Sequence, residues 1–461
     1  MKAGAAGVVT VVATGAGAQA NSTFTIGECL ELPTTNTFPI GIASGDVTNE
    51  RAIVTTCHVG QRPMKMAMWE ADANLNASPL ICVDANPTDG GFVHIDASRL
   101  KSYTNYRYAF VELDLTRRLA GRSRVGHFKT APDDDALVPL TIGAVCCTHN
   151  SHEPVVLEHA GARTDIDLFL FLGDATYNDG CKTTKEFRSK WAQNLSKKGY
   201  LDVRASTSVI ATLDDHEVTD NFDPETTPKS VLNSAVRAFY DNTPIRSNGS
   251  SRIWRSFKWG RTCEIFVLDC RRERKPSTRH MPKPQYISRE QMDWLKNGLD
   301  KSKAMFKVIM NSVPIGVFPF PSESDRWEGY PEQRNEILSF IDDNDIPGVL
   351  WLSGDFHFAS VGRVSPHGPG SCQTEILAGP GAQLPNYLAM GLNASRQFDW
   401  ASARNNYVTL TFSPFTYEVK LCFMGGDEDP RKTILSDVNE IHRQILRLGE
   451  CKPRLLELMR E

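Results

Sequence analysis

FLFLGDATYNDG, residues 169–180, is the stretch on which the reading of this chain turns. Its apolar run ends in Gly173-Asp174, and Tyr177 follows three residues after the carboxylate. In an α/β sheet, ligands gather beyond the carboxyl ends of the strands, so a buried strand with Asp at its tip is a natural source of a metal ligand. An Asp that only caps a loop is the plain alternative. Three further clusters follow apolar strands in the same way: Val145-Cys146-Cys147-Thr148-His149, Asp214-Asp215-His216-Glu217 and Gly354-Asp355-Phe356-His357. Buried carboxylates are costly unless paired or metal-bound, and a metal centre accounts for all of the clusters together.

The donor types narrow the metal. Carboxylate oxygens alone suit Mg²⁺ or Ca²⁺. A Tyr phenol and a Cys thiol must each lose a proton to bind, which favours a strongly Lewis-acidic ion such as Fe(III). Adding the carboxylates gives a mixed site, with Asp174 as the candidate bridge between two ions about 3.5–4 Å apart.

Outward from these clusters, the chain changes texture twice. Between about Phe38 and Thr130, short alternating segments (Ala52–His58, Met64–Glu70, Phe92–Ile95, Tyr106–Leu113) are broken by turns, the pattern of a small β-sandwich. Thr130-Ala131-Pro132-Asp133-Asp134-Asp135 reads as a linker. From Leu140, apolar strands alternate with helical segments, which points to a layered α/β sheet. One helix is expected over Ser288–Lys301, opened by a capping box of Ser288 and Gln291 and burying Met292, Leu295 and Leu299. Val408–Phe412 and Thr416–Phe423 alternate strictly and read as a hairpin. From Thr433 the spacing of Ile434, Val438, Ile441, Ile445 and Leu448 predicts a helical tail, either packed on the body or covering the site as a lid.

The 461 residues suffice for two or three domains, and a net charge of −4 gives no general argument for nucleic acid or an anionic membrane. Affinity for a phosphorylated substrate must then come from a local cationic site. Residues 1–20, with Lys2, an Ala/Gly/Val run and Ala18-Gln19-Ala20, read as a signal peptide or as a disordered small-residue tail. No stretch has the length of a transmembrane helix. The 11 cysteines form no CxxC pairs, which argues against a zinc ribbon. Export would allow pairing among Cys29, Cys57, Cys82, Cys181, Cys263, Cys270, Cys372 and Cys451, and glycosylation of the sequons at Asn76, Asn194, Asn248 and Asn393.

Taken in order, these segments resemble the alkaline phosphatase D (PhoD-like) family of metallophosphoesterases. Gly41-Ile42-Ala43-Ser44-Gly45-Asp46-Val47-Thr48 is similar to the family's opening "GVASGDPT", and Val145-Cys146-Cys147 stands at its "ASC". Gly173–Tyr177 matches "GDxxY", Leu213–Glu217 matches "WDDHE", and Val267-Leu268-Asp269-Cys270-Arg271 matches "VLDTR". Asp325–Tyr330 and Ser353–His357 resemble "DxWDGY" and "SGDxH". The resemblance implies a metallophosphoesterase-like sandwich of sheets flanked by helices over residues 138–430. It also implies a fibronectin-III-like all-β domain over 36–131, leaving 431–461 as the helical tail.

The resemblance further implies an iron site of Cys147, Asp174, Tyr177 and His357, and a calcium site of Asp174, Asp215 and Asp355. Zn²⁺, Mn²⁺ and Mg²⁺ are the alternative ions. Adjacent strand residues point to opposite faces, so only one of Cys146 and Cys147 can ligate; aligning the apolar strand favours Cys147. His216 matches a residue that contacts the phosphate or protonates the leaving group, or it merely orients Asp215. Arg271 is a candidate phosphate or Asp partner, with a surface ion pair as the plain alternative. The implied activity is hydrolysis of small phosphate esters by a metal-activated oxygen nucleophile, in a secreted, periplasmic or extracellular enzyme. A phosphodiesterase or phospholipase on the same metals is the alternative, followed by an inactive cell-surface binding protein. Leu213 in place of Trp, Cys146 in place of Ser and the lack of a twin-arginine pair depart from the family pattern without removing a ligand.

Overall fold

The computed structural model describes residues 8–12, 24–246, 251–319 and 325–447. Two large sheets face each other. In the first, Leu140–Val145, Leu168–Phe171 and Ser208–Ala211 run parallel, and Asn406–Ser413 joins antiparallel on the far side of Leu140–Val145. In the second, Cys263–Val267, Phe306–Met310, Val349–Ser353 and Thr374–Leu377 are parallel neighbours, with antiparallel strands at both ends.

Alternation of side chains along each strand builds the layers. Leu168 and Leu170 point into the core between the sheets, where they join Ile265, Val308 and Leu350 of the second sheet. Phe169 and Phe171 point outward against the helices Val155–Gly161, Thr184–Leu195, Lys198–Ser206 and Lys229–Asn242. On the opposite outer face, Phe266, Ile309 and Trp351 pack beneath Arg289–Lys301 and Pro331–Asp343. Strands buried on both faces read as continuous apolar runs, which is why these segments stood out in the sequence.

The N-terminal strands divide between two sheets. Met64–Glu70, Ile81–Asp84, Asn105–Leu113, Leu119–Arg122 and Gly126–Lys129 make a five-stranded sheet. Ile42–Gly45, Arg51–Cys57 and Phe92–Ser98 instead extend the first large sheet, because Ser44 and Val209's partner Gly45 pair in parallel register with the Ser208–Ala211 strand. The sheet therefore runs across the boundary expected near residue 131. Val8–Val12 pairs in parallel with Phe92–Ser98, and the rest of the signal-like segment lies outside the described residues.

Two expectations need amending. The tail is a strand where a helix was expected: Asn439–Arg447 pairs antiparallel with Glu418–Gly425. The open edge left by the Asn406–Ser413/Glu418–Gly425 hairpin offers a row of backbone partners, and satisfying it overrides a helical apolar spacing. Leu448 and the residues after it lie outside the described part. The Arg289–Lys301 helix buries Met292, Leu295 and Leu299 as expected, and Ser288 accepts the Gln291 N–H at 3.1 Å. The Gln291 side chain does not return to the cap, however. It accepts the Asp269 N–H at 2.9 Å and so ties the helix to the strand end that carries Arg271. Among the cysteines, Cys372 is disulfide-bonded, while Cys29, Cys57, Cys82, Cys181, Cys263 and Cys270 are free and Cys451 is outside the described residues. No helix among the described residues is long and apolar enough to cross a membrane.

Candidate metal centre

The carboxyl ends of the parallel strands of both sheets converge, and the chain leaves them in unusual conformations. Cys147, Asp174, Asp355 and His357 have φ of 52°, 53°, 72° and 55°, in the left-handed region that non-glycine residues seldom occupy. Such backbone strain persists where the surroundings over-determine it, and it clusters at functional sites. Each turn throws its side chain back over the strand end. Gly173, at φ 112°, makes the turn into Asp174 possible; a Cβ there would lie 2.4 Å from the Asp214 Cβ.

The four side chains meet around Asp174. Cys147 Sγ lies 3.6 Å from Asp174 Oδ2, and the Tyr177 hydroxyl is 3.2 Å from both Asp174 Oδ2 and His357 Nε2. Ligand atoms of Cys147, Asp174 and His357 all fall within 4.8 Å of one another. Cys146 points elsewhere, its thiol donating to the Ala378 carbonyl at 2.9 Å. Both residues lie beyond the Leu140–Val145 strand, and the left-handed backbone at Cys147 sets its thiol on the Asp174 side.

Two overlapping groups adjoin the first. Asp174, Asp215 and His216 form one, and Asp214, Asp215 and Asp355 the other. Asp214 was not among the expected ligands, although it stands in the DDHE motif. Glu217, also unassigned by the sequence, is buried and accepts the backbone N–H groups of Asp174, Ala175 and Asp214 at 3.1, 2.7 and 2.7 Å. It clamps the two acidic loops to each other.

His216 is held from both sides. Its N–H donates to Asp174 Oδ1 at 3.2 Å, and its Nδ1 lies 2.9 Å from an Asp179 carboxylate oxygen. Its ring sits 4.0 Å from the Tyr177 ring. Burial lowers the proton affinity of His216, but the Asp179 hydrogen bond and the Asp215 charge outweigh it and raise its pKa above the ordinary value. Asp179 lies in the opening stretch itself, yet no spacing rule predicted that it would reach His216.

Arg271 departs from the surface ion pair. It is fully buried, with Nε 2.6 Å from Asp214 Oδ1, Nη1 3.0 Å from Asp325 Oδ2 and Nη2 3.0 Å from Asp355 Oδ1. Of its two candidate roles, the geometry displays the Asp partner.

One buried guanidinium does not balance this much acid. Burial, and then the charges of Asp215, Asp214, Glu217 and Asp355, push the Asp174 carboxyl well above the usual range. Burial raises Asp355 too, despite Arg271. Asp215 moves the other way: Arg271 and His216 overcome its burial and hold it low. Burial depresses His357 to about 4, so its imidazole is neutral and its Nε2 is a competent ligand at neutral pH. Asp215 Oδ1 is buried without a hydrogen-bond partner. A carboxylate oxygen with no hydrogen bond and only Arg271 Nη2 at 3.6 Å, clustered acids and a thiol–phenol–imidazole set together fit bound cations.

Sheets packed face to face between helical layers, with acids, thiol and imidazole at the converging strand ends, define a metallophosphoesterase-like fold. A solved structure of PhoD superposes with a TM-score of 0.76 at 20% identity, covering 88% of this chain and 92% of that one. A purple acid phosphatase from yellow lupin (Lupinus luteus) seeds gives a TM-score of 0.60 at 13% identity, covering 88% of this chain and 73% of that one. The family model described as PhoD-like phosphatase matches residues 142–385, more than half of the chain. The chain belongs to the PhoD-like phosphatase family. Alkaline phosphatase D of Bacillus subtilis (strain 168) is 26% identical over an alignment of 380 positions that covers 69% of this chain and 64% of that protein's length.

Proposed function

We propose that the chain is an alkaline phosphatase D-like hydrolase of phosphate monoesters and diesters, exported from the cell. The observation that carries this reading is the junction of Cys147, Asp174, Tyr177 and His357 with the Asp214, Asp215 and Asp355 group through shared carboxylates. In this reading, Cys147, Asp174, Tyr177 and His357 would hold Fe(III), and Asp174, Asp215 and Asp355 would hold Ca²⁺. Bound ions would supply Lewis acidity, neutralising phosphate charge and making water acidic enough to act as a nucleophile at neutral pH.

The chain's own residues do the rest. Glu217 fixes the Asp174 and Asp214 loops, so the carboxylates need no reorganisation when substrate binds. Arg271 balances and orients Asp214 and Asp355 from below. Asp179 accepts the His216 Nδ1–H and orients the ring; the same carboxylate and Asp215 favour the imidazolium, in which Nε2 also carries a proton for the leaving oxygen. Tyr177 packs against the His216 ring and limits its movement. The family membership and the resemblance to alkaline phosphatase D support the reaction class.

The test is to assay a monoester and a diester chromogen side by side on protein freed of metal and then supplied with iron and calcium, with elemental analysis of the protein as isolated. Phosphoester hydrolysis restored by metal is the expected result. No hydrolysis and no bound metal would refute the reading.

A further inference from the structure

Beside the metal centre lies an apolar surface that the hydrolytic chemistry does not require. The segment after the Thr374–Leu377 strand wraps the site: Gly381 N–H donates to the Cys146 carbonyl at 2.8 Å, and Asn386 N–H to the His357 carbonyl at 3.0 Å. Immediately beyond these anchors, Leu384, Tyr387, Leu388 and Met390 are 53%, 61%, 53% and 58% exposed. Ala389 and Leu392 face inward instead, packing with Phe358, Leu377 and Phe398. The Ala389–Leu392 turn is therefore apolar on both sides, whereas a surface helical turn normally presents polar groups outward. Single exposed apolar residues need no explanation, but several large ones within seven positions mark a binding surface.

Two features identify the occupant. From Ala378 to Ser395 the sequence holds no charged residue, so the segment itself presents no charge to an occupant. Phe356, set between Asp355 and His357 and only partly buried, packs against the same apolar cluster, with the Arg326 guanidinium 5.0 Å from its ring. The Asn386–His357 hydrogen bond sets the Leu384–Met390 segment beside the metal centre.

We propose that Leu384, Tyr387, Leu388 and Met390 form the subsite for the alcohol portion of the substrate, and that this portion carries an alkyl chain or aromatic ring. The proposal rests on the phosphoesterase reading and deepens it. A fully buried methylene is worth about fourfold in affinity, and a half-open face about half that free energy, or about twofold.

The test uses the full chain supplied with iron and calcium. Straight-chain alkyl phosphates from methyl to octyl are assayed as monoesters and as methyl diesters, so that either ester preference reads the effect. The expected kcat/KM rises about twofold per methylene, or roughly 10–20-fold from methyl to pentyl. Two double variants, Tyr387→Ser with Met390→Ser and Leu384→Ser with Leu388→Ser, should each lower the pentyl-to-methyl ratio by about threefold or more. A flat wild-type series, or a ratio that survives both double variants, overturns the subsite. A rise confined to concentrations above micelle formation also overturns it, in favour of docking on a lipid surface. Release from no ester at all refutes the phosphoesterase reading itself, whereas release with equal slopes refutes only the subsite.

Discussion

Replacing Glu217 with Gln tests whether one carboxylate holds the two acidic loops together. Its oxygens accept three backbone N–H groups: Oε2 those of Asp174 and Asp214, Oε1 that of Ala175. A carboxamide has one acceptor. In its better orientation it keeps the two bonds at Oε2 and turns an NH₂ group against the Ala175 N–H, leaving a buried donor unsatisfied at a cost of about 1–3 kcal/mol. The two retained bonds lose their charge assistance, roughly another 1–2 kcal/mol together. Part of this is offset, because burial and then Asp214 push the Glu217 carboxyl up to about 7 against its N–H partners, and Gln removes that repelling charge. A net loss of about 2–3 kcal/mol follows, and a chain of this size should melt roughly 2–3 °C lower. Activity should fall by about tenfold or more, since a displacement of about 1 Å at Asp174 suffices for that. Thermal melts followed by circular dichroism, with and without chelator, paired with phosphoester assays, read both effects. Wild-type melting together with wild-type activity in Glu217→Gln would refute the clamp.

Three shorter predictions follow from other parts of the molecule. Cys147→Ser should lose iron measured by elemental analysis while Cys146→Ser keeps it, since only the Cys147 thiol faces Asp174; full iron retention in Cys147→Ser would sink the assignment. Burial lowers the pKa of His94, against the Thr243 carbonyl and the Asp241 charge, so the folded chain binds fewer protons than the unfolded one as pH falls below about 6.5. The Tm advantage of wild type over His94→Gln should therefore shrink between pH 7 and pH 5, by at most about 1.4 kcal/mol of stability per pH unit, and a pH-independent gap would contradict it. Made in a eukaryotic secretory host, the chain should carry no glycan at Asn194, detected by peptide mass mapping, because that side chain is buried with its amide donating to the Thr148 and Ala175 carbonyls; an Asn194 glycan on folded, active protein would contradict the packing.

How much of this was legible in the sequence depends on what kind of force decided each feature. The strand tips were legible because strands buried on both faces leave long apolar runs, and an acid or thiol at the end of such a run has few structural reasons to be there. FLFLGDATYNDG shows both at once, with Phe169 and Phe171 against the helices and Leu168 and Leu170 in the inter-sheet core. The different directions of the Cys146 and Cys147 thiols come from the left-handed backbone at Cys147, just past the Leu140–Val145 strand, which no strand period records. What stayed hidden was decided by partners far away in the chain. Asp179 reaches His216 from 37 residues away, and Arg271 meets Asp214, Asp325 and Asp355 only after three strand ends converge. An isolated Arg after a strand carries no sign of that, which is why a surface pair was the plain expectation. The tail shows the same limit from the opposite side. Ile434, Val438, Ile441 and Ile445 keep a helical spacing, but the unpaired Glu418–Gly425 edge offered the segment backbone hydrogen bonds along eight register pairs. Spacing records what a segment can do alone, whereas an open sheet edge is a property of the assembled fold. The apolar Leu384–Met390 surface belongs to this second kind: its composition is plain in the sequence, and only the hydrogen bond from Asn386 to His357 puts it beside the chemistry.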